Sequence, residues 1–362
     1  MSVRYAVIGA GMMGVEHIRN LALIDGASLT AIADPNHGSL ENAGAVADGV
    51  FGAVDRHEDP AALIKRDDID AFIVATPNHT HAEIAQMVMR SAKPFLLEKP
   101  MCATEKDARS LHQQSLSYQP MIWVGLEYRY MPPVARFIDY AHDGVVGPIK
   151  MLSIREHRFP FLPKVDAWNR FNRNSGGTLV EKCCHFFDLM RFILRDEPTR
   201  LFASGGQDVN HLDERYDGET PDVLDNAFVV VDFRRGARAV LDLCMFAEGS
   251  PEQEEIHVAG PKGKLSVSIP SGAVSWHPRD RIDPWVKTID VPPAILAAGD
   301  HHGATYYQLQ RFHRRVLEAG APEVSAFDGL RSVQMGVAAQ RSIETGEAVQ
   351  LADPVAVAVA AN

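Results

Sequence analysis

The first apolar run, Val3 to Ile8, is short, rich in β-formers and stops at a glycine, which predicts a strand. Gly9-Ala10-Gly11-Met12-Met13-Gly14 follows at once, and Val15, Ile18, Leu21 and Ala22 then recur on one helical face as far as Leu23. A second strand pattern, 28–33, ends in Asp34. The pattern further predicts strands at 51–54, 71–75, Phe95–Leu97 and 121–125, with helices at 60–65, 79–89 and 104–115 between them. Strands alternating with helices make an α/β, doubly wound parallel sheet. Such sheets take ligands at the carboxyl ends of their strands, where two loops lie here: Thr76-Pro77-Asn78-His79-Thr80-His81 and Glu98-Lys99-Pro100.

Beyond residue 125 the pattern changes. Strand-like runs at 150–156, 227–233, 238–245, 255–259 and 264–269 come in hairpin-like succession, with Arg234-Arg235-Gly236 as one turn. Helical patterns occupy 303–317 and 328–343. The expected division is a nucleotide-binding domain at 1–125, an α+β domain at 126–350 and a tail at 351–362, read as loosely held or returning to the first domain.

The glycine motif carries chemistry because of its context. Gly9 permits a tight turn, Gly11 lets the backbone approach a pyrophosphate, and Gly14 lets the helix pack on the strand while its N-terminus faces the phosphate charge. Met12 and Met13 lie in the same loop. Asp34, 20 residues after Gly14, is placed to accept hydrogen bonds from the adenosine ribose, and its charge repels a 2′-phosphate. The pattern therefore predicts NAD rather than NADP.

Composition narrows the class. At 362 residues, 46% hydrophobic and 23% charged, the chain reads as a folded two-domain protein. Its formal net charge of −11 and lack of a basic block argue against nucleic acid and anionic membranes. Nothing is long and apolar enough to span a bilayer, and the start reads as a strand rather than a signal peptide. Cys102, Cys183, Cys184 and Cys244 do not form a disulfide framework and are read as reduced, so the cytoplasm is expected.

Glu98-Lys99-Pro100 after a buried strand, Ala-Thr-Pro-Asn-His-Thr-His upstream of it and the glycine motif together resemble the Gfo/Idh/MocA oxidoreductases. The resemblance resumes at residues 176–188, at 299–307 and near the C-terminus. It implies a Rossmann domain followed by a domain with a large, mainly antiparallel sheet, one face of which often serves in oligomerisation, so a homodimer or homotetramer is expected. It places Thr76, Pro77, Asn78, His81, Glu98 and Lys99 at the cofactor, with Glu98 on the nicotinamide ribose. It also implies a catalytic set of Lys99, Glu181 and His185. If 175–194 includes a helix, Glu181 and His185 stand at i and i+4, on one face. His185 would then take the proton of a substrate hydroxyl, Lys99 would stabilise charge developing on the oxygen, and Glu181 would orient substrate or imidazole. A cis bond before Pro100 is expected to aim Lys99. The chain departs from the family by carrying Glu181 for an aspartate and Cys183 for a frequent glycine.

On the substrate side, Glu127 and Arg129 leave the last Rossmann strand, and Arg158, Lys164, Trp168 and Asn169 precede the Gly176 motif. The resemblance places His302 nearby. Polar groups mixed with rings suit a polyol, whereas Arg155, Arg158, Lys164, Arg170 and Arg173 together suit an acidic substrate group. Glu181, Cys183, Cys184, His185 and Asp188 lack metal-ligand spacing, so no metal is expected. The expected activity is NAD-dependent oxidation of a secondary hydroxyl of a sugar, anhydrosugar or inositol-like polyol. The alternatives are a glycoside-cleaving enzyme that uses bound NAD transiently and a cofactor-bound regulator.

Overall fold

The computed structural model describes residues 2–352. Six strands, β1 (Val3–Ile8), β2 (Ala27–Ala33), β3 (Asp55–His57), β4 (Ala71–Val74), β5 (Phe95–Leu97) and β6 (Ile122–Val124), pair in parallel in the order β3-β2-β1-β4-β5-β6. The direction of winding reverses between β1 and β4, which opens a crevice at their carboxyl ends. Helices α1 (Met12–Leu21), α2 (His37–Phe51), α3 (His81–Met89) and α4 (Glu105–Ser115) make the connections. β4, β5 and β6 are buried along their whole length, as strands covered by helices on both faces must be. Asn36 and Thr104 cap α2 and α4 by accepting from the backbone N–H groups of Ser39 and Asp107.

Residues 51–54 are not a strand. α2 runs to Phe51, and the strand that follows is the three-residue edge strand β3, whose side chains are mostly exposed. The buried face of α2 is Leu40, Ala43, Gly44 and Ala47, small residues that give a weak apolar stripe.

The second half begins with α5 (Pro132–His142), β7 (Met151–His157) and three helices, α6 (Asn172–Ser175), α7 (Thr178–Glu181) and α8 (Cys184–Leu194). Then come β8 (Pro198–Gly206), β9 (Asn226–Phe233), β10 (Arg238–Cys244), β11 (Glu254–Gly260), β12 (Gly263–Ile269), β13 (Ala273–Pro278) and β14 (Trp285–Thr288). Helices α9 (Pro293–Leu296), α10 (Ala304–Glu318) and α11 (Ala326–Thr345) and the short β15 (Val349–Gln350) complete the described chain. The sheet order is β14-β13-β12-β11-β7-β10-β9-β8-β15. It is mainly antiparallel, but β7 lies parallel to β10, Met151 opposite Arg238, so the strands do not follow one another as simple hairpins. β7 enters the middle of the sheet long before its neighbours in space are made.

β9 turns Ala227, Val229, Val231 and Phe233 inward and Phe228 and Val230 outward. The two cores are not divided at residue 125. Val180, Cys184, Leu309, Phe312, Leu330 and Val333 pack into the first core, and the Val124 N–H donates to the Val324 carbonyl at 3.0 Å. α11 opens with a capping box between Ser325 and Asp328. The tail assigned to 351–362 falls, except for Leu351 and Ala352, outside the described residues. The Leu351 N–H donates to the Thr199 carbonyl at 2.9 Å.

Candidate active site

β1 delivers the chain into the glycine loop. Gly9 has φ +95°, and a Cβ there would stand 2.5 Å from the carbonyl carbon of Ala75. Gly11 caps α1 without a side-chain hydrogen bond, and a Cβ on it would meet nothing within 4 Å. Unpaired N–H groups of the first helical turn face that open space, a ready site for a diphosphate. Met12 beside it is exposed and Met13 half-buried. Asp34 sits at the end of β2. Its Oδ2 accepts from the Ala10 N–H at 2.7 Å and its Oδ1 from the Asn36 N–H at 2.8 Å, so the carboxylate is fixed against the glycine loop. These residues fit NAD.

Several cofactor-loop side chains are engaged in holding the crevice together. The Asn78 amide donates to the Ser175 carbonyl at 2.9 Å and ties the two halves. His81 is wholly buried between two loops, with ring nitrogens 2.8 Å from the Pro100 carbonyl and 2.9 Å from that of Thr76, next to Pro77. Glu98 turns inward: Oε1 is 2.8 Å from His17 Nε2, and Oε2 accepts from the Lys99 N–H at 3.0 Å. A buried carboxylate needs such partners.

The Lys99–Pro100 bond is cis. Lys99 Nζ donates to the Glu181 carbonyl at 3.3 Å. Glu181 and His185 do not share one continuous helix: α7 ends at Glu181, α8 begins at Cys184, and the Cys183 N–H reaches back five residues to Thr178. The expected i, i+4 geometry is thus replaced by a break, with Lys182 inside it. Glu181 Oε1 lies 3.4 Å from Lys164 Nζ, while Oε2 is buried without a protein partner. His185 is buried, with Nδ1 likewise unpartnered. Burial first, and then the charges of Lys99, Lys182, His301 and Arg158, hold its imidazole well below the usual range, so it is neutral and able to accept a proton.

The substrate-side candidates divide. Lys164 packs its ammonium over the Trp168 ring at 4.5 Å, and Trp168 meets His79 edge-on. Asn169 is buried, with Nδ2 donating to the Leu162 carbonyl and Oδ1 unpartnered. Arg158 lies over Phe159 and 3.7 Å from Glu156. His302 is half-buried just before α10, and burial holds its pKa down. Arg129 is not with them. Its Nε donates to Asp188 at 2.6 Å and its guanidinium lies over Phe192, a buried ion pair further along α8 than His185. The predicted acidic-substrate cluster also disperses: Arg155, Arg170 and Arg173 pair with Glu255, Glu214 and Glu219.

Residues 3–126 match the profile described as the oxidoreductase family's NAD-binding Rossmann fold, and residues 142–351 match that family's C-terminal alpha/beta domain. The chain belongs to the Gfo/Idh/MocA oxidoreductase family. It is 27% identical over 352 residues to myo-inositol 2-dehydrogenase of Thermotoga maritima, covering 96% of this chain and 98% of that one. It is 26% identical over 353 residues to the NAD+-dependent scyllo-inositol 2-dehydrogenase of Bacillus subtilis, covering 96% of each. A levoglucosan dehydrogenase solved with NADH superposes with a TM-score of 0.85 at 20% identity, over 98% of this chain and 100% of that one; it shares the fold. This Gfo/Idh/MocA protein is an NAD-binding oxidoreductase.

In this family member Glu127, expected on the substrate side, is tied into a buried carboxylate pair, and Glu16 and Lys182 are residues the sequence reading did not single out. Glu127 is fully buried, with Oε2 2.7 Å from Thr305 Oγ, and that hydroxyl is 2.8 Å from Glu16 Oε1. One hydroxyl proton cannot serve two carboxylates. Burial pushes Glu127 up to about 7, so of the two carboxylates Glu127 takes up a proton more readily. Against the pull of burial, Glu127 and Glu16 lift His301 to about 9; its Nδ1 is 2.8 Å from Glu16. Lys182 is buried, its Nζ 2.8 Å from Glu156 and 2.6 Å from the Tyr128 hydroxyl. The one signal for it was a lysine inside an apolar run, Leu179 to Phe187. A charge there must find buried partners.

Proposed function

We propose that the protein oxidises a secondary hydroxyl of a cyclic polyol, an inositol or a sugar or anhydrosugar, passing hydride to NAD. The observation that carries this reading is the convergence of Lys99 Nζ, the unpartnered Glu181 Oε2 and the neutral His185 with its unpartnered Nδ1. Buried polar atoms without partners are costly in the apo protein, and a ligand dense in hydroxyls satisfies them. NAD, when bound at the glycine loop, would supply the acceptor for the hydride of the carbinol carbon. His185 takes the hydroxyl proton, the Lys99 ammonium stabilises the oxygen as negative charge grows, and Glu181 accepts a hydrogen bond from a neighbouring hydroxyl. Trp168, half-buried beside Lys164, offers a face for the ring carbons. The inositol dehydrogenases among the relatives support this substrate class. Phe202, Phe228, Val230, Met151 and Val286, exposed on the open side of the large sheet, support a homodimer or homotetramer, which light scattering would measure.

The test is NADH formation at 340 nm with NAD or NADP and a panel of inositols, aldoses, anhydrosugars and glycosides. An NAD-dependent signal with one polyol class, lost in Lys99→Ala and His185→Ala, supports the reading. NAD binding without net reduction would overturn it. Cleavage of a glycoside would then indicate transient redox chemistry, and no product at all a regulator.

A further inference from the structure

In the structure the His185 ring lies flat on Tyr128, with centroids 3.9 Å apart and planes 9° from parallel. Among the described residues no group accepts from or donates to His185 Nδ1, so there the imidazole lacks the hydrogen-bonded carboxylate that commonly fixes the orientation of a catalytic histidine. What fixes it instead is the stack, and the stack is itself held. The Tyr128 hydroxyl is 2.6 Å from Lys182 Nζ, Lys182 is 2.8 Å from Glu156, and Phe186 packs edge-on to the tyrosine ring at 5.8 Å. Tyr128, Lys182, Glu156 and His185 are all buried. A ring clamped on one edge by a buried ammonium has little freedom to slide, and the imidazole on its face inherits that restraint.

We propose that Tyr128 is the positioning residue for His185, an aromatic shelf anchored by the Lys182–Glu156 pair that holds the proton acceptor in line with the substrate hydroxyl. The shelf also favours the reaction's charge change. As the substrate hydroxyl bond breaks, its proton passes to His185 and the ring becomes cationic against the negative face of the phenol, an arrangement aromatic rings stabilise. The charges that bear most on His185 are Lys99 from the β5 loop, Lys182 from the α7–α8 break, His301 ahead of α10 and Arg158 next to β7, all cationic; the carboxylates on the neighbouring elements are Glu156, paired with Lys182, and Glu181 at the end of α7. The tyrosine face counters part of the penalty that those cations set on charging His185. The inference rests on the dehydrogenase reading for its kinetic consequence and on geometry alone for the stack.

The experiment compares Tyr128→Leu with Tyr128→Phe. Leucine removes the aromatic face, while phenylalanine keeps it and gives up only the hydroxyl. Tyr128→Leu is expected to lower kcat at least about tenfold, with KM for the polyol and Kd for NAD within about threefold of the parent, and Tyr128→Phe to recover most of that loss. Unchanged NAD binding reports that both variants fold. The His185 ring proton resonance, assigned by its loss in His185→Gln, should lie upfield in the parent and in Tyr128→Phe and move downfield in Tyr128→Leu. Full kcat in Tyr128→Leu, an equal loss in both variants, or a His185 resonance indifferent to residue 128 would overturn the proposal. If the parent reduces NAD with no polyol, the dehydrogenase reading fails on its own, and the resonance still decides whether the shelf exists.

Discussion

Gly11, the N-cap of α1, and Gly14, in its first turn, stand three residues apart, and the structure assigns them opposite consequences when a methyl group is added. At Gly14 a Cβ would lie 2.0 Å from the Gly9 carbonyl oxygen, where ordinary contact begins at 3.4 Å. The helix would have to retreat by the difference, 3.4 − 2.0 = 1.4 Å, from a strand end whose backbone cannot yield. Overpacking of this kind costs about 1–3 kcal/mol, and a backbone clash belongs at the upper end. Gly14→Ala should therefore lower Tm in the absence of NAD by a few degrees, the shift being about 2–4 °C per kcal/mol for 150–250 residues and smaller for a longer chain. At Gly11 the methyl meets nothing within 4 Å, and the residue already has φ −74°, so Gly11→Ala should fold with a change within about 1 kcal/mol. Its methyl instead occupies the space in front of the α1 N-terminus. NAD affinity should fall at least tenfold, about 1.4 kcal/mol. Differential scanning fluorimetry without ligand and calorimetric titration with NAD separate the two effects. Gly11→Ala binding NAD like the parent would refute the placement of the pyrophosphate, and Gly14→Ala with an unchanged Tm would refute the packing argument.

Lys99→Ala should lower kcat by about 10²–10³ with stability within about 0.5 kcal/mol of the parent, because its Nζ bonds only to a carbonyl at 3.3 Å; a loss under tenfold counts against its role. His185 has a folded pKa held well below that of the unfolded chain, so below about pH 6.5 the unfolded state binds the extra proton and stability falls. His185→Gln removes this titration and should gain on the parent between pH 7.5 and pH 5, by at most about 1.4 kcal/mol per pH unit; urea unfolding curves that shift equally at both pH values would refute it. Thr305→Val deprives Glu16 and Glu127 of their shared hydroxyl and should cost about 1–3 kcal/mol. The raised acid pKa of Glu127, about 7, already makes its contribution to stability decline as pH rises from the unfolded value towards 7. The cost of the valine should therefore be larger at pH 8.5 than at pH 6, and denaturant midpoints at the two pH values test that order.

The parallel sheet was legible because its strands are short, uniformly apolar and bounded by glycine, proline or acids; the run Phe95–Leu97 matches β5 residue for residue. α2 was not, since alanine and glycine supply its buried face and they leave almost no periodic signal. Nor was the β7–β10 pairing, which joins residues far apart in sequence and leaves no local trace. In the site, the family resemblance pointed to Lys99, Glu181 and His185. The reading failed where polarity was taken without a partner. Arg129 looks like a substrate ligand in sequence, but its counter-charge, Asp188, lies 59 residues on. Lys182, Tyr128 and Glu156 come together through three separate elements, and their adjacency exists only once the chain has folded.

The return of α10 and α11 to the first core has a consequence for synthesis. Residues 2–125 leave the ribosome with the surface that Leu309, Phe312, Leu330 and Val333 later cover still open to water. At about 5–20 residues per second the covering segment arrives roughly 10–40 s afterwards. Throughout that interval the nascent nucleotide-binding half presents an apolar flank, which makes it a natural client for a holdase and the segment of this chain most exposed to aggregation in the cell.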